Sequence, residues 1–291
     1  MRIVVTGASG QLGSYLIDRL ARGPHEVIAW SGRTQSVRGE LTLQPVDLTD
    51  SLAVTAALEQ ADPDVLIHLA AISSTEAVRR DPKRALAVNV SGTGLLADWA
   101  AKHDRRLLYT SSDLVFDGSK SWYGEDDPAL PILEYGRTKR DSEPAVLATP
   151  RGLVARLSLL YGPSRSLTAG YFDRAMATMR TATPQSFFTD EFRTPLDNIT
   201  ASRILVRLAE SAATGLIHVG GPERLSRFEL MRRAAAVLGV DSRFVRANRR
   251  ADVPLAEPRP ADVSLDTSRL LHLFPDLEFP GVEDALASSV C

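Results

Sequence analysis

Short apolar runs alternate with longer amphipathic stretches over roughly the first 160 residues of the chain. The runs are rich in Val, Ile and Leu, which predicts strands buried on both faces. The predicted strands are RIVVT (2–6), EVIAW (26–30), LTLQPV (41–46), DVLIHLA (64–70), RLLYTS (106–111) and GLVARLS (152–158). The predicted helices between them lie near 11–22, 51–60, 82–102 and 132–148. This alternation predicts an α/β fold with a doubly wound parallel sheet.

Beyond Tyr161 the alternation becomes less regular. The run GLIHVGG (215–221) is apolar enough for a further strand and is predicted to rejoin the sheet. The segment 241–265 is rich in proline and in charged residues. That composition predicts an ordered loop or lid rather than a linker between independent domains.

The stretch TGASGQLG (6–13) follows the first predicted strand and opens the first predicted helix. In this setting Gly7 permits a tight turn, Gly10 lets the backbone approach a pyrophosphate, and Gly13 lets the helix pack closely on the strand. Phosphates would lie at the helix N-terminus, where free N–H groups favour anions. The spacing predicts a dinucleotide-binding loop, with a plain glycine-rich turn as the alternative. Its other predicted contact residues are Ser9, Gln11 and Leu12.

The residues after the second predicted strand indicate which dinucleotide binds. An acidic side chain there would bind the adenosine ribose and favour NAD. The sequence reads AWSGRTQ (29–35) instead, with Ser31 and Arg33 and no carboxylate. Arg33 is suited to pair with a 2′-phosphate, and a solvated surface arginine is the alternative. We predict NADP(H) as the preferred cofactor, with NAD(H) left open.

The stretch EYGRTK (134–139) places Tyr135 and Lys139 four residues apart, on one face of a predicted helix. A free tyrosine has a pKa near ~10. A neighbouring ammonium group stabilises the phenolate, which predicts a lowered tyrosine pKa and a role in acid–base catalysis. A structural role is the alternative, since this spacing is common.

A strand that ends in hydroxyl groups supplies a third candidate feature. In LLYTSSDLVFDG (107–118) the apolar run ends at Ser111, Ser112 and Asp113. Ligands of open α/β sheets bind at the carboxyl ends of strands. A serine hydroxyl is therefore predicted to hydrogen-bond a substrate carbonyl there, and capping is the alternative.

Composition and charge exclude several classes of partner. The chain has 34 basic and 36 acidic residues and a formal net charge of −2, so neither nucleic acid nor a membrane surface is expected. No apolar run reaches the ~18 residues of a membrane span. The first strand begins at Arg2, which leaves no room for a signal peptide, and Cys291 is the single cysteine. We therefore expect a cytoplasmic protein without a disulfide framework.

Two further expectations concern metals and assembly. His68 lies within a predicted buried strand, which favours a core residue over a ligand, and no His or Cys cluster has ligand spacing. No metal ion is therefore expected. The helices near 82–102 and 132–148 are candidates for a homodimer contact, although simple core packing explains their periodicity equally well.

Together these motifs resemble the extended short-chain dehydrogenase/reductases over nearly the whole chain. TGASGQLG resembles their phosphate loop, and YGRTK (135–139) resembles their Tyr-Lys pair. Within the superfamily the chain is most similar to the dTDP-4-dehydrorhamnose reductases. SSDLVFDG (111–118) resembles their strand-end motif STDYVFDG, and RPADVSLDTSRL (259–270) resembles their RPxxSxLD segment.

The resemblance implies a set of site residues. It implies Ser112, Tyr135 and Lys139 as the catalytic trio. Tyr135 and Lys139 also join the implied cofactor site, whose residues outside the glycine loop are Ser31, Arg33, Asp47, Leu48, Leu69, Ala70, Ala71, Asn89 and Ser158. The implied substrate-binding residues are Ser73, Asp113, Val115, Phe116, Arg193 and Arg259.

The resemblance also implies a division of the chain and a reaction. Residues 1–161 would form a dinucleotide-binding Rossmann domain, which 196–221 rejoins, and residues 162–195 and 222–291 would form a substrate-binding part. The implied reaction is NADPH-dependent reduction of a 4-keto group on a deoxysugar nucleotide, so a small-molecule nucleotide sugar is the expected partner. Ser112 would hold the carbonyl oxygen and Tyr135 would donate the proton.

The chain departs from the family pattern near the expected substrate. Ser112 replaces the usual threonine, and Leu114 replaces the usual tyrosine of STDYVFDG. DEFRTP (190–195) follows the family's substrate-side pattern DQxGxPT only loosely, and Phe192 and Arg193 are expected to reshape the sugar pocket.

Several alternatives stay open. The regulatory subunit of methionine adenosyltransferase, a non-catalytic relative, shares the VFDG, YGxTK and RPxxxxLD segments. A dehydratase would carry a second carboxylate at the position of Leu114, and an epimerase that retains NAD is disfavoured by Arg33. A reductase of an unrelated ketone or lactone is the last alternative.

Overall fold

A computed structural model describes residues 1–33, 35–166 and 169–290. Cys291, the cysteine of the sequence, lies outside the described residues. Within those ranges, no helix has both the length and the apolar composition that crossing a membrane requires.

The first part of the chain alternates strands and helices, as predicted. Its elements are β1 (Arg2–Thr6), α1 (Gln11–Leu20), β2 (Glu26–Trp30), β3 (Ser36–Arg38), β4 (Leu41–Leu43), α2 (Ser51–Ala61), β5 (Val65–His68), α3 (Thr75–Arg80), α4 (Pro82–Leu86), α5 (Gly92–Lys102), β6 (Arg106–Ser112), α6 (Glu134–Leu147), β7 (Gly152–Leu157) and β8 (Leu160–Tyr161). A π-helical turn, Ala87–Ser91, joins α4 to α5, and a 3₁₀ turn, Asp113–Val115, follows β6.

The later part of the chain contributes shorter strands and further helices. Its elements are α7 (Tyr171–Arg180), β9 (Gln185–Phe188), β10 (Phe192–Arg193), β11 (Leu196–Asp197), α8 (Asn198–Glu210), β12 (Gly215–Val219), β13 (Leu225–Ser226), α9 (Arg227–Val237), β14 (Val245–Asn248), α10 (Ser268–Leu273) and α11 (Val282–Val290).

The central sheet is six-stranded, with the spatial order β2–β1–β5–β6–β7–β12 and parallel pairing throughout. The direction of strand addition reverses at β1, because β2 lies on one side of it and β5 on the other. Such a reversal opens a crevice at the carboxyl ends of the strands. The predicted doubly wound α/β fold is confirmed, and the strand predicted in 215–221 joins the sheet as β12.

Each central strand supplies two hydrophobic cores, because successive side chains point to opposite faces. In β1, Ile3 and Val5 pack in one cluster with residues of α1 and α8. Val4 packs in a second cluster with residues of α2 and α5. This arrangement explains why the strands are continuous apolar runs.

The strand predicted over 41–46 is wrong in extent and in pairing. Only Leu41–Leu43 is a strand, and it forms an antiparallel hairpin with β3. Thr42 is exposed, and a single bridge between Trp30 and Gln44 links the segment to the sheet. Pro45 has no N–H group to donate, which prevents the ladder from continuing.

The predicted helix 82–102 is interrupted by the π-helical turn, which the apolar periodicity did not reveal. The predicted loop 241–265 also contains regular structure. Its residues Val245–Asn248 form β14, which pairs in parallel with β9. A third hydrophobic cluster, formed by residues that include Phe172 of α7 and Met231 of α9, packs beside this pair. The division of the chain into two parts at Tyr161 stays a prediction.

Gly136→Ala should destabilise the fold, because a Cβ at Gly136 would lie 2.0 Å from the Leu114 carbonyl oxygen. Helix α6 would have to move from the turn after β6, at an expected loss of ~1–3 kcal/mol in the free energy of unfolding. Gly94→Ala in α5 is the matched control, since a Cβ there meets nothing within 4 Å. It should gain roughly 0.5–1 kcal/mol. Urea unfolding of both variants measures the difference, and equal effects would contradict the described packing.

Candidate active site

A cleft of about 1020 Å³ lies at the carboxyl ends of the central strands. It is lined by most residues that the sequence predicted for a site. These are Gly7, Ser9, Gly10, Gln11, Leu12, Gly13, Ser31, Arg33, Asp47, Leu48, Leu69, Ala70, Ala71, Ser73, Ser112, Asp113, Tyr135, Lys139, Ser158, Arg193 and Arg259. The fold thus brings together residues from segments far apart in the sequence.

Val115 and Phe116 do not line the cleft, and their assignment to substrate binding is wrong. Both are fully buried and pack with Tyr123, Val263 and Leu265. The Phe116 ring stacks on the Tyr123 ring with centroids 4.1 Å apart. The 3₁₀ turn after β6 directs these apolar side chains into the core, where a ligand cannot reach them.

Asn89 also lies behind the cleft rather than in its wall, so it is not a cofactor contact. Its Oδ1 accepts the backbone N–H of Ile72 at 2.8 Å, and its Nδ2 donates to the Ile72 carbonyl at 3.1 Å. Nδ2 also donates to Thr138 Oγ1 at 2.9 Å. From its place in the π-helical turn, Asn89 joins the loop after β5 to helix α6.

The glycine loop packs too tightly for side chains. Gly7 has a φ of +68°, and a Cβ there would lie 2.7 Å from the Ala70 backbone nitrogen. A Cβ at Gly13 would lie 2.2 Å from the Gly7 carbonyl oxygen. Helix α1 begins after Gly10 without a side-chain cap, so its first N–H groups can receive an anion.

His68 is confirmed as a packed core residue, because it is fully buried between two hydroxyl groups. Its Nδ1 lies 2.6 Å from Thr6 Oγ1, and its Nε2 lies 2.9 Å from Thr93 Oγ1. Thr93 Oγ1 donates its hydrogen bond to the Asn89 carbonyl, so toward His68 it can only accept. The His68 ring therefore carries its proton on Nε2 and donates it to Thr93 Oγ1. Burial and the charge of Lys139 lower the pKa of His68 to about 3, which keeps the ring neutral.

At the end of β2, Arg33 lies in the cleft wall and pairs with Asp47. Arg33 Nε donates to Asp47 Oδ2 at 2.5 Å, and Thr49 donates to the other oxygen. Burial opposes the charge of Asp47, but these hydrogen bonds outweigh it and hold its pKa at about 2. The ion pair leaves the terminal nitrogens of the Arg33 guanidinium for a ligand.

Tyr135 and Lys139 lie one turn apart on α6, as predicted, and both line the cleft. Lys139 is buried, and its Nζ lies 4.2 Å from the centroid of the Tyr109 ring. Burial lowers the pKa of Lys139 to about 7, while the carboxylate of Glu143 opposes that shift.

The prediction that Lys139 lowers the tyrosine pKa is wrong for this arrangement of protein groups. Burial, with a smaller contribution from the Asp113 carboxylate, raises the pKa of Tyr135 well above its ordinary value. The phenol therefore keeps its proton, which suits a group that donates one.

The two serines at the end of β6 have different partners. Ser111 Oγ donates to Glu143 Oε1 at 2.6 Å, and Glu143 pairs with Arg156 at 2.7 Å. Ser112 Oγ donates to Asp113 Oδ1 at 3.1 Å and accepts the N–H of Leu114 at 3.2 Å. Since Ser111 is committed to a buried ion pair, Ser112 is the serine suited to meet a ligand.

Asp113 and Glu191 anchor a cluster of arginines at one side of the cleft. Arg193 donates to Asp113 Oδ1 at 2.8 Å and to Glu191 Oε1 at 3.1 Å. Arg227 and Arg259 also pair with Glu191, at 3.5 and 2.7 Å. Burial opposes the charge of Glu191, but these arginines, Arg193 foremost, hold its pKa at about 2.

The cleft also contains residues that sequence reasoning missed. They include Arg84, Val88, Tyr171, Arg174 and Arg227. Tyr171 is 47% exposed and begins α7, and no motif marks its position. The capping box formed by Ser226 and Glu229 marks the start of α9, and that signal could have placed Arg227 in the first turn of a helix.

The doubly wound parallel sheet and the glycine loop define a protein with a Rossmann-type dinucleotide-binding fold. The sequence matches the family described as the RmlD substrate binding domain over residues 1–289. The chain belongs to this family, which is dTDP-4-dehydrorhamnose reductase-like.

The relatives of the chain include reductases and a subunit of a transferase. A probable low-salt glycan biosynthesis reductase of Haloferax volcanii is 30% identical over 93% of this chain and 91% of that protein. Methionine adenosyltransferase 2 subunit beta of Pongo abelii is 31% identical over 92% of this chain and 81% of that protein. A probable dTDP-4,6-dihydroxy-2-methyloxan-3-one 4-ketoreductase of Streptomyces antibioticus is 31% identical over 90% and 85%. The reductase relatives support an oxidoreductase.

Solved structures share the fold over almost the whole chain. A dTDP-4-dehydrorhamnose reductase of Bacillus anthracis in complex with NADP has a TM-score of 0.88, 22% identity, and coverage of 99% of this chain and 98% of that chain. A hypothetical dTDP-4-dehydrorhamnose reductase of Sulfolobus tokodaii has a TM-score of 0.85, 28% identity, and coverage of 98% and 99%.

The free energy of unfolding of the wild type should rise relative to that of Lys139→Met as the pH increases from about 7 toward 10.5. The pKa of Lys139 is 10.5 ordinarily and about 7 in the folded protein. Between these values the unfolded chain binds the additional proton, so raising the pH removes a cost of folding. Below pH ~7 lysine is protonated in both states and the difference should be constant.

Urea unfolding at a series of pH values measures this effect. Lys102→Met, which removes an exposed lysine of α5, controls for the loss of one charge. A wild-type advantage over Lys139→Met that does not change across the window would contradict the depressed pKa.

Proposed function

We propose that the chain is an NADPH-dependent reductase that acts on the 4-keto group of a deoxysugar nucleotide. The observation that carries the proposal is the convergence of Ser112, Tyr135 and Lys139 on the cleft that the glycine loop also lines. Membership in the reductase family and the 4-ketoreductase name of one relative support it.

The cleft fits a dinucleotide phosphate. The positions of Gly7 and Gly13 leave no room for a Cβ, so the loop stays close to the strand. The free N–H groups at the start of α1 would hold the phosphates of a dinucleotide. Arg33 would meet a 2′-phosphate, and Ala70 would line the adenosine side. When bound, NADPH would supply a hydride to the carbonyl carbon.

The side chains of the cleft would complete the reduction. Ser112 Oγ–H would hydrogen-bond the carbonyl oxygen and fix its position. Tyr135 Oη would donate its proton to that oxygen as negative charge develops there, which yields an alcohol. The protonated form of Lys139 would stabilise the resulting phenolate. Charge stabilisation placed where charge develops is the largest source of rate enhancement in many enzymes.

A non-catalytic role is the second candidate function. The similarity to methionine adenosyltransferase 2 subunit beta, at 31% identity over 92% of this chain, favours it. On this hypothesis the dinucleotide would be a structural ligand of a regulatory subunit. The intact Ser112, Tyr135 and Lys139 arrangement supports catalysis instead, and turnover distinguishes the two functions.

NADPH should bind more tightly than NADH, and Arg33→Ala should remove most of the preference. A hydrogen bond to a charged phosphate contributes roughly 1.5–3 kcal/mol, which corresponds to about tenfold to hundredfold in affinity. Arg243→Ala is the matched control, because Arg243 pairs with Asp241 as Arg33 pairs with Asp47 but does not line the cleft. Fluorescence titration with both cofactors measures the ratio. A preference that survives Arg33→Ala unchanged rules out this role.

Tyr135→Phe should lower turnover by about 10²–10⁴-fold, the usual contribution of a positioned proton donor. NADPH affinity should change only a few-fold, since the glycine loop is untouched. Lys139→Met should reduce both turnover and NADPH affinity, because its ammonium serves the phenolate and the ribose. NADPH oxidation with a panel of 4-keto-deoxysugar nucleotides, together with NADPH titration, measures both quantities.

A different outcome would favour the non-catalytic, regulatory function. If the wild type reduces no sugar of the panel, and Tyr135→Phe changes neither ligand binding nor partner binding, the reductase proposal fails and the regulatory role replaces it.

A further inference from the structure

Two departures from the family pattern DQxGxPT contact each other in the structure. Glu191 stands at the glutamine position of the pattern, and Arg193 stands at the glycine position. Arg193 joins Glu191 to Asp113 by the hydrogen bonds described above. Arg193 therefore places a cation beside Asp113, and Glu191 is an anion that helps to hold that cation.

The added groups are deeply buried. Glu191 is fully buried, Arg193 is 3% exposed and Asp113 is 2% exposed. Removing one partner of a buried ion pair strongly destabilises the folded protein, because the other charge is left uncompensated. The three groups therefore behave as one unit and hold each other in position.

Asp113 controls the proton of Ser112. In the structure the Ser112 hydroxyl donates to Asp113 Oδ1, so that proton is not directed at a ligand. Asp113 Oδ2 accepts from Ser158 at 3.1 Å. For Ser112 to hydrogen-bond a carbonyl oxygen, its proton must leave Asp113 Oδ1.

Arg193 lowers the energetic cost to Asp113 of losing its hydrogen bond from Ser112. Arg193 Nη1 donates to the same Oδ1 that Ser112 contacts. When Ser112 turns away, Oδ1 retains a charge-assisted hydrogen bond. Without Arg193, the departure of Ser112 would leave one oxygen of a buried anion without a partner, a state that is strongly unfavourable.

We propose that Arg193 is a positioning residue that acts through Asp113 to make the Ser112 hydroxyl available to the substrate carbonyl. The proposal rests on the reductase function proposed above. In this role Arg193 acts without contacting the substrate, which is an alternative to the sequence-based prediction that it binds the substrate directly. Each terminal nitrogen of Arg193 donates one hydrogen bond to a carboxylate, and its buried Nε has no hydrogen-bond partner among the described residues. Arg259, whose side chain is 26% exposed, is better placed to contact a substrate.

A double-mutant cycle between Arg193 and Asp113 tests the proposal. Arg193→Met alone should lower kcat by about tenfold to hundredfold, the range expected for one hydrogen bond to a charged group. In the Asp113→Asn background, the same Arg193→Met change should lower kcat less than about threefold, because no anion then holds the serine. Arg193→Lys, which keeps the cation, should retain most of the activity.

Arg259→Met is the matched control. Arg259 pairs with Glu191 as Arg193 does, but it makes no hydrogen bond to Asp113. Arg259→Met should change mainly KM. In the Asp113→Asn background it should change KM by the same factor as in the wild type. NADPH affinity and the melting temperature of each variant establish that the protein folds. If Arg193→Met does not fold, Arg193→Lys and the pair of variants in the Asp113→Asn background decide the question.

A kcat loss from Arg193→Met that persists in the Asp113→Asn background overturns the proposal and returns Arg193 to direct substrate contact. A loss confined to KM overturns it as well. If the wild type turns over no keto-sugar of the panel, the reductase function fails and this proposal fails with it. If the wild type reduces a keto-sugar but the kcat effects of Arg193→Met and Asp113→Asn multiply, the reductase function stands and only the proposed role of Arg193 is rejected.

Discussion

The close approach of the glycine loop to the end of β5 is the constraint on which the site depends. Gly7 adopts a left-handed φ, and its Cα faces the Ala70 backbone without room for a Cβ. The Ala70 N–H donates to Thr6 Oγ1, and Thr6 in turn contacts His68. These contacts tie together the two strands that meet where the sheet reverses direction. They also fix the N-terminus of α1 at the cleft, which Ser112, Tyr135 and Lys139 line as well.

Electrostatics of the cleft differ from those of the whole chain. The sequence is nearly neutral, with a formal net charge of −2. Around Asp113 and Glu191, however, Arg193, Arg227 and Arg259 leave positive charge in excess. Within a cleft such a field attracts anions more strongly than the same charges would at an open surface. A nucleotide diphosphate is an anion of the kind that this field favours.

Local signals in the sequence predicted the fold and the main parts of the site. The spacing of the glycines, the apolar strands and the Tyr135–Lys139 pair each depends on residues close together in the chain. Val115 and Phe116 were misassigned because an apolar pair after a strand fits a cleft wall and a core equally well. The tyrosine pKa was mispredicted because burial is a tertiary property. Arg193 pairs with Asp113, which lies 80 positions earlier in the sequence, and no local pattern reveals this pairing.

The π-helical turn at Ala87–Ser91 has a consequence for how this helix can vary. A π turn holds one residue more than an α turn, so α4 and α5 are out of phase with each other by about 100°. Their apolar faces must therefore be specified independently on either side of the turn. Deleting one residue within 87–91 would restore a regular helix, but it would rotate one half against the sheet and withdraw Asn89 from Ile72. With the extra residue, α5 packs in the second hydrophobic cluster while Asn89 holds the loop after β5.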